Sequence, residues 1–447
     1  MQKEKALLLA LFAFLSLLNS NAQGRQWTLQ QCIDYALEHN VQLRKNALQQ
    51  RSAIEDLKQS QAALLPSLTA STQQNATYRP FTENGTSTVA NGYVQSSVDK
   101  VYYNGSYGVN ANWTIWNGNQ NTNQIRLNRL TAQQAALDSA TTALTLQEQI
   151  AQLYVQILYA TEAINVNKEN LKTTQANEER GQALLNVGKM SKADLAQLTA
   201  QRAQAEYAVV QAESAQRNYK RQLKQLLQLT DDDFDVYIPS TTDQMVLQAI
   251  PILQSVYEQA LLTRPEIKNA QLAIESSQLN KKIAKAGRMP IIGLTATAGT
   301  NTTSISDNAW GSQLKTNFDV AAGITVSLPL FDNRKTRTSI NKAQIQYENS
   351  LLDLQNQQTT LYSTIEDYWL QATTNQQQFR AAQASTKSAQ ESYNLLSEQF
   401  SLGLKNIAEL MNGKDNLLQA QQTELQSKYL TILNIQMLKF YETAQIK

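Results

Sequence analysis

Seven prolines punctuate this chain of 447 residues, at positions 66, 80, 239, 251, 265, 290 and 329, and they leave 81–238 and 330–447 without one. The segment 189–286 lacks glycine as well. A compact globule of this size must reverse direction often, and Gly and Pro are the residues that punctuate such reversals. Their absence over such spans predicts very long helices. Chemistry is equally constrained. One His (His39) and one Cys (Cys32) argue against most Cys/His metal sites, a Cys–His nucleophile and any intrachain disulfide. A catalytic triad could only be built around His39, and no Gly-x-Ser-x-Gly elbow occurs. A formal net charge of +2 gives no bulk attraction to nucleic acid. The expectation is a protein with no catalytic residues, no cofactor and no metal.

Residues 1–22 read as an export signal, with Lys3 and Lys5 before an apolar Ala6–Leu18 and a small-x-small site at Ser20-Asn21-Ala22. The chain beyond it holds no apolar run near the ~20 residues that a membrane-spanning helix needs. A membrane-embedded form would therefore have to be a barrel. Cys32 follows Gln30 and Gln31, where an acylated cysteine wants small neighbours, and reads as a buried helical residue.

The sequence repeats its grammar. Ala36-Leu37 and Pro66 recur 224 residues later as Ala260-Leu261 and Pro290. Trp116-Asn117-Gly118, Gly188 and Ala193-Asp194-Leu195 recur 215 residues later as Phe331-Asp332-Asn333, Gly403 and Ala408-Glu409-Leu410. Order and offset are both preserved, as an internal repeat requires. The expected organisation is a first repeat over 23–230, a linker over 231–251 and a second repeat over 252–447. Each holds a helix (28–65 and about 252–287), two strands around a polar loop, a very long helix, a Gly turn and a further helix. The strands are expected at about 67–79, 104–116, 291–301 and 318–330.

Period-two alternation carries the strands. Tyr107, Val109, Ala111, Trp113 and Ile115 alternate with Ser106, Gly108, Asn110, Asn112 and Thr114, and Val320, Ala322, Ile324, Val326 and Leu328 form a second such series. A half-buried soluble sheet alternates in the same way. Runs of ~10–13 residues, however, also match the ~25 Å apolar band of an outer-membrane barrel. Trp113, Trp116, Phe318 and Phe331 stand toward the run ends, where an interfacial aromatic girdle would lie. Asn110, Asn112, Thr114, Thr295, Thr297 and Thr325 would then face a wet lumen. In the helices, Leu146, Ile150, Leu153, Ile157, Ala160 and Ile164 make one stripe, and Leu137, Leu144, Ala151 and Leu158 another. Two stripes on one helix mean packed neighbours on two sides. From Trp116 to Gly188, and from Phe331 to Gly403, the spacing is the same, and at ~1.5 Å per residue each long helix reaches ~100 Å. The expected object is a rod with strands at one end and Gly turns at the other.

Three motifs resemble the TolC family of outer-membrane efflux proteins across essentially the whole chain beyond the export signal. They are Thr28-Leu29-x-x-Cys32-Ile33-x-x-Ala36-Leu37-x-x-Asn40, Leu64-Leu65-Pro66-Ser67-Leu68, and Val326-Ser327-Leu328-Pro329-Leu330-Phe331-Asp332-Asn333. The resemblance implies a mainly α fold with a small β part. Four strands per chain would contribute to a homotrimeric twelve-stranded barrel in the outer membrane of a Gram-negative bacterium, above a long periplasmic α-helical coiled-coil barrel. Counting agrees, because four strands cannot close a barrel whose lower limit is ~8. The implied function is a passive exit duct for efflux or type I secretion, working with a periplasmic membrane-fusion (adaptor) protein and an inner-membrane pump of RND or ABC type. The tips that would dock the adaptor are Val187, Gly188, Lys189, Met190 and Ser191, with Leu402, Gly403 and Leu404. Lys189 departs from the family's aliphatic tip. Asp194 and Glu409, each six residues past its Gly, are gate candidates, since a trimer would repeat each acid three times around a narrow entrance. Each is also placed to cap a helix. A secreted or periplasmic coiled-coil protein without a barrel is the alternative, and it leaves the four alternating runs unexplained. An exported hydrolase would need a base beside a nucleophile, which His39 beside Asn40 does not suggest.

Overall fold

The computed structural model describes residues 25–81, 85–89, 92–96, 100–230, 234–239, 243–306 and 308–444. The expected export signal and the acidic run at 231–233 lie outside them. The chain is mainly helical with a small sheet part and divides into two compact units. One comprises Met1–Leu48, Ala136–Asn269 and Leu354–Lys447, the other Gln49–Ala135 and Ala270–Asp353.

The described residues open with strand β1 (Arg25–Trp27), followed by helices α1 (Leu29–His39) and α2 (Val41–Ala62). Thr28 opens α1 with a capping box. Its Oγ1 accepts the Gln31 N–H at 3.3 Å while the Gln31 side chain accepts the Thr28 N–H at 3.0 Å. A single helix over 28–65 is expected from the sequence, but Asn40 breaks it: its backbone is extended, and its Oδ1 accepts the N–H groups of Gln42 and Leu43. The same correction applies 224 residues later. There α6 (Leu253–Thr263) and α7 (Pro265–Ala286) are separated by an extended Arg264. Proline disfavours a helical conformation in the residue before it and is itself suited to a first helical position, so Pro265 starts a new helix.

Strands β2 (Ser67–Tyr78), β3 (Gly85–Val89), β4 (Gly92–Ser96) and β5 (Val101–Trp116) come next, then α3 (Gln120–Asn186) and α4 (Lys192–Leu227). After them come β6 (Phe234–Val236), α5 (Asp243–Val246), α6 and α7. The chain continues with β7 (Ile291–Thr303), α8 (Trp310–Thr316), β8 (Asp319–Ser327), α9 (Lys335–Ser401) and α10 (Ile407–Thr443). Helices α3 and α9 are 67 residues each.

The second unit carries an antiparallel sheet of order β2-β5-β7-β8. Three findings correct the expected loops and bounds. The loop at 79–104 contains the β3–β4 hairpin, and the loop at 301–317 contains α8. Strand β8 stops at Ser327 rather than 330, because Pro329 has no N–H to give a ladder. Helix α8 lies against β7. The Thr300 hydroxyl donates to the Leu314 carbonyl at 2.9 Å, the Gln313 side chain bonds both the N–H and the carbonyl of Thr303, and Trp310 meets Tyr107 edge-on at 6.1 Å.

The first unit buries one large core. Cys32, Ile33 and Ala36 of α1, Ile150 and Ile157 of α3, Leu223 and Leu227 of α4, Val256 and Ala260 of α6, Ile365 of α9, and Ile435, Met437 and Phe440 of α10 belong to it. Removing a ring such as that of Phe440 costs about 3–5 kcal/mol in such a setting. A parallel pair, β1 with β6, closes over this core, and the Tyr154 hydroxyl donates to the Tyr237 carbonyl at 2.6 Å. A second cluster joins Leu198 of α4, Tyr393 and Phe400 of α9, and Ile407, Leu410 and Leu417 of α10.

Candidate functional site

Both tips end their long helices by the same hydrogen-bonded closure. At the first, the Gly188 N–H donates to Leu185 O at 2.9 Å and the Lys189 N–H to Leu184 O at 2.8 Å. At the second, Gly403 donates to Phe400 O at 3.0 Å and Leu404 to Gln399 O at 2.9 Å. This pair of bonds needs a left-handed residue at its centre, and φ is +72° at Gly188 and +77° at Gly403. Around the glycines the side chains project outward: Val187 is 68% and Leu402 73% exposed, and Leu404 and Lys189 are exposed too. Met190 instead packs against the cluster of Leu198 and Tyr393.

The acids that follow each tip are both helix caps. Ser191 Oγ accepts the Asp194 N–H at 3.0 Å, and its hydroxyl donates to Asp194 Oδ2 at 2.8 Å. Asn406 and Glu409 form a full capping box: Asn406 Oδ1 accepts the Glu409 N–H at 2.9 Å, and Glu409 Oε2 accepts the Asn406 N–H at 3.3 Å. Glu409 also pairs with Lys405. That hydrogen bond, followed by the one from the Asn406 backbone, holds its carboxyl below the usual range. In the single chain, then, both acids are engaged at helix N-termini, which favour negative charge.

The sheet has two chemically distinct faces. Cross-strand pairs Thr69–Asn110, Asn110–Thr297, Asn112–Thr295 and Gly293–Thr325 put the six expected lumen residues on one face with Ser, Thr and Gly neighbours. The pairs Leu68–Ala111, Val109–Ala298, Trp113–Leu294, Leu294–Ile324 and Ile292–Val326 fill the other. Trp113 belongs to this apolar face, and its indole N–H donates to Leu64 O at 2.8 Å. Trp116 is half-buried beyond an irregularity at Thr114. Phe331 is exposed past the end of β8, and Phe318 is exposed at its other end. Exposed aromatics also stand at the loop end: Tyr78, which ends the period-two series of β2 and is legible in the sequence, and Tyr103 and Trp310, which sequence reading missed. Continuing the period-two series of β5 outward would have found Tyr103. Trp310 depends on α8, which no alternation announces.

His39 stacks on Tyr35 at 4.0 Å, and its Nδ1 lies 3.0 Å from the Tyr35 carbonyl. Burial pushes the Cys32 thiol up to about 12. Among the described residues no group of three or more His, Cys, Asp or Glu could hold a metal ion, and no helix is long and apolar enough to cross a membrane.

Comparison with known proteins agrees with this architecture. Residues 32–228 and 256–440 match the family described as outer membrane efflux protein. The outer membrane protein TolC of Escherichia coli (strain K12) is 21% identical over 459 residues, covering 96% of this chain and 84% of that protein. The outer membrane efflux protein BepC of Brucella suis biovar 1 (strain 1330) is 21% identical over 327 residues, covering 73% and 69%. Among solved structures, CusC superposes with a TM-score of 0.79 at 17% identity, covering 95% of both chains. The Campylobacter jejuni CmeC outer membrane channel superposes with 0.76 at 19% identity, covering 93% of this chain and 86% of that one.

Proposed function

The chain belongs to the outer membrane efflux protein family, and from that premise we propose that three copies of it close a twelve-stranded barrel serving as the outer-membrane exit duct of a tripartite pump. The observation that carries this reading is the sheet of β2, β5, β7 and β8, which has one apolar face, one polar face and two edges left unpaired among the described residues. An open edge cannot stand in lipid, because each unsatisfied backbone group there costs several kcal/mol. Joining β8 of one copy to β2 of the next removes every edge, and three copies give an even strand number within the range of such barrels. The apolar face then meets lipid and the Ser/Thr/Asn face lines water. Trp113, Trp116, Phe318 and Phe331 supply the interfacial aromatics. The duct is a passive conduit, and the energy for transport comes from the inner-membrane pump.

The helical hairpins extend into the periplasm, and their tips receive the adaptor, which connects to an inner-membrane pump of RND or ABC type. The exposed Val187, Leu402 and Leu404 around turns already closed by their own hydrogen bonds support this, since the turns do not use those side chains. Asp194 and Glu409 cap their helices and, repeated by three-fold symmetry, form an acidic ring at the entrance. The mass of the detergent-extracted protein, with planar-bilayer conductance on the same sample, tests the reading. A trimer with small cation-preferring conductance is expected. A single-chain, water-soluble species without conductance would overturn it. Replacing Val187 and Leu402 by Asp is expected to abolish adaptor capture while the trimer persists.

A further inference from the structure

Where β8 gives way to α9, an open cavity of about 510 Å³ is lined by Arg288, Arg334 and Arg337 together with Leu330, Phe331 and Asp332. Three guanidinium groups share this wall with one carboxylate. That carboxylate is already engaged, since Asp332 Oδ2 accepts the Thr336 N–H at 2.8 Å in capping α9. None of the three arginine side chains makes an ion pair or a side-chain hydrogen bond among the described residues, where other exposed cations such as Lys58, Lys168 and Arg217 do find carboxylates. The backbone at Arg334 is left-handed, with φ +69° directly after Asn333 at +51°. An arginine gains nothing locally from that conformation, which brings Cβ close to the following carbonyl oxygen. The turn that carries the strand into the helix holds it at the cavity wall.

The apolar part of the lining decides between ligands. Leu330 and Phe331 are 90% and 86% exposed, and they continue the run of exposed Ile324, Val326 and Leu328 at the end of the sheet's apolar face. A free anion in water would use the arginines and leave these side chains in solvent. A molecule with a phosphate at one end and hydrocarbon at the other satisfies both.

We infer that this cavity binds the phosphate of an anionic phospholipid, with guanidinium groups of Arg288, Arg334 and Arg337 on the headgroup and acyl chains running along Leu330, Phe331 and the apolar face of β8. The inference rests on the reading of that face as lipid-facing. Arginine suits the role because its planar fork meets phosphate oxygens in pairs and is weakly hydrated, so it desolvates at lower cost than an ammonium. In the barrel the site recurs three times, as a basic collar at the level where the strands leave the membrane for the periplasm.

The test is native mass spectrometry on the full-length protein extracted from outer membranes. Wild type is compared with a triple variant, Arg288→Gln, Arg334→Asn and Arg337→Gln, in which Asn is chosen at 334 because it tolerates the left-handed backbone. Both are offered phosphatidylglycerol, phosphatidylcholine or inorganic phosphate. Wild type should retain phosphatidylglycerol in preference to phosphatidylcholine. The triple variant should lose that preference by about a hundredfold, from roughly 1 kcal/mol per basic residue near a charged lipid surface. A second variant with Lys at all three positions should keep part of it, since charge survives and paired geometry does not. Equal retention by wild type and the triple variant would overturn the inference, and so would displacement of the lipid by inorganic phosphate alone. Membrane fractionation and conductance on the same samples separate this failure from a failure of the barrel. If both proteins insert and conduct but bind lipid alike, only the headgroup site is lost. If wild type does not insert, both readings fall together.

Discussion

Lys405 holds its ammonium 2.6 Å from Glu409 Oε1, four residues further along the same chain, where Glu409 is also the capping acid of α10. The corresponding acid of the other tip, Asp194, takes its contact from the neutral hydroxyl of Ser191 and makes no ion pair among the described residues. The two acids six residues past their glycines are therefore electrostatically unequal. Removing Asp194 as Asp194→Asn should reduce cation preference more than Glu409→Gln does, and Lys405→Ala should increase it by uncovering Glu409. Reversal potentials across a salt gradient in planar bilayers would show the order. Equal effects of the two acid replacements would mean that Lys405 does not screen its partner at the entrance.

The same pair sets a pH dependence. The Lys405 hydrogen bond, and then the Asn406 backbone, hold the Glu409 carboxyl below its ordinary 4.5. A carboxyl whose folded value is depressed adds stability above its unfolded value and loses it as pH falls through the folded one. The second tip should thus loosen in the acid range below 4.5, with no change between pH 6 and 8. Limited proteolysis at 399–411 over that range is expected to show increasing cleavage for wild type and a flat response for Glu409→Gln.

Glycine replacements should separate turn geometry from packing. A methyl group at Gly188 or Gly403 meets nothing within 4 Å, so Gly188→Ala and Gly403→Ala should each cost only the left-handed backbone strain, about 1 kcal/mol. At Gly413 of α10 an added Cβ would lie 2.5 Å from Leu396 Cδ1, and Gly413→Ala should cost about 1–3 kcal/mol unless that side chain shifts. Denaturant midpoints of the three variants, measured in one detergent, give the ranking. A Gly188→Ala loss larger than that of Gly413→Ala would contradict it.

Lys414 is a buried charge whose removal should stabilise. It is 7% exposed, its Nζ stands 5.2 Å from the Tyr393 ring centre, and burial pushes its pKa down against the opposing pull of Glu169 and Asp415. Replacing a buried charge by a hydrophobic residue of similar volume often gains stability, and Lys414→Met should raise it by about 1–2 kcal/mol. Because the folded value is depressed, the unfolded chain binds more protons between the folded value and 10.5, so wild-type stability should climb with pH through that window. Thermal unfolding of Lys414→Met should lack the climb.

Much of this fold can be read from periodicity because its elements are long and locally specified. The alternation through Val109, Ala111 and Trp113 survives as one face of β5. The long proline-free spans hold α3 and α9. What could not be read that way depends on contacts distant in sequence or on a single side chain. The pairing of β1 with β6 joins three residues to three others more than 200 positions away, and nothing in Phe234-Asp235-Val236 alone distinguishes it from a linker. The break at Asn40 comes from one amide capping the next helix while the apolar spacing continues. The break at Arg264 carried a visible signal in Pro265, masked by the apolar stripe on either side. At the tips, the sequence announces the turn and the acid, but the Lys405 contact that makes the acids unequal is a matter of rotamer.

The chain's one sulfhydryl, Cys32, is sealed in the core at 0% exposure, and its pKa of about 12 keeps it protonated at neutral pH. For chemical labelling the native protein is therefore close to blank. A cysteine introduced at Val187 or Leu402 would be the one accessible thiol per chain, without deleting the native residue and disturbing the packing of α1. If three copies assemble as proposed, paired spin labels or fluorophores at such a position would report the distance between neighbouring tips directly, and a change in that distance on adding the adaptor would test whether the tips move.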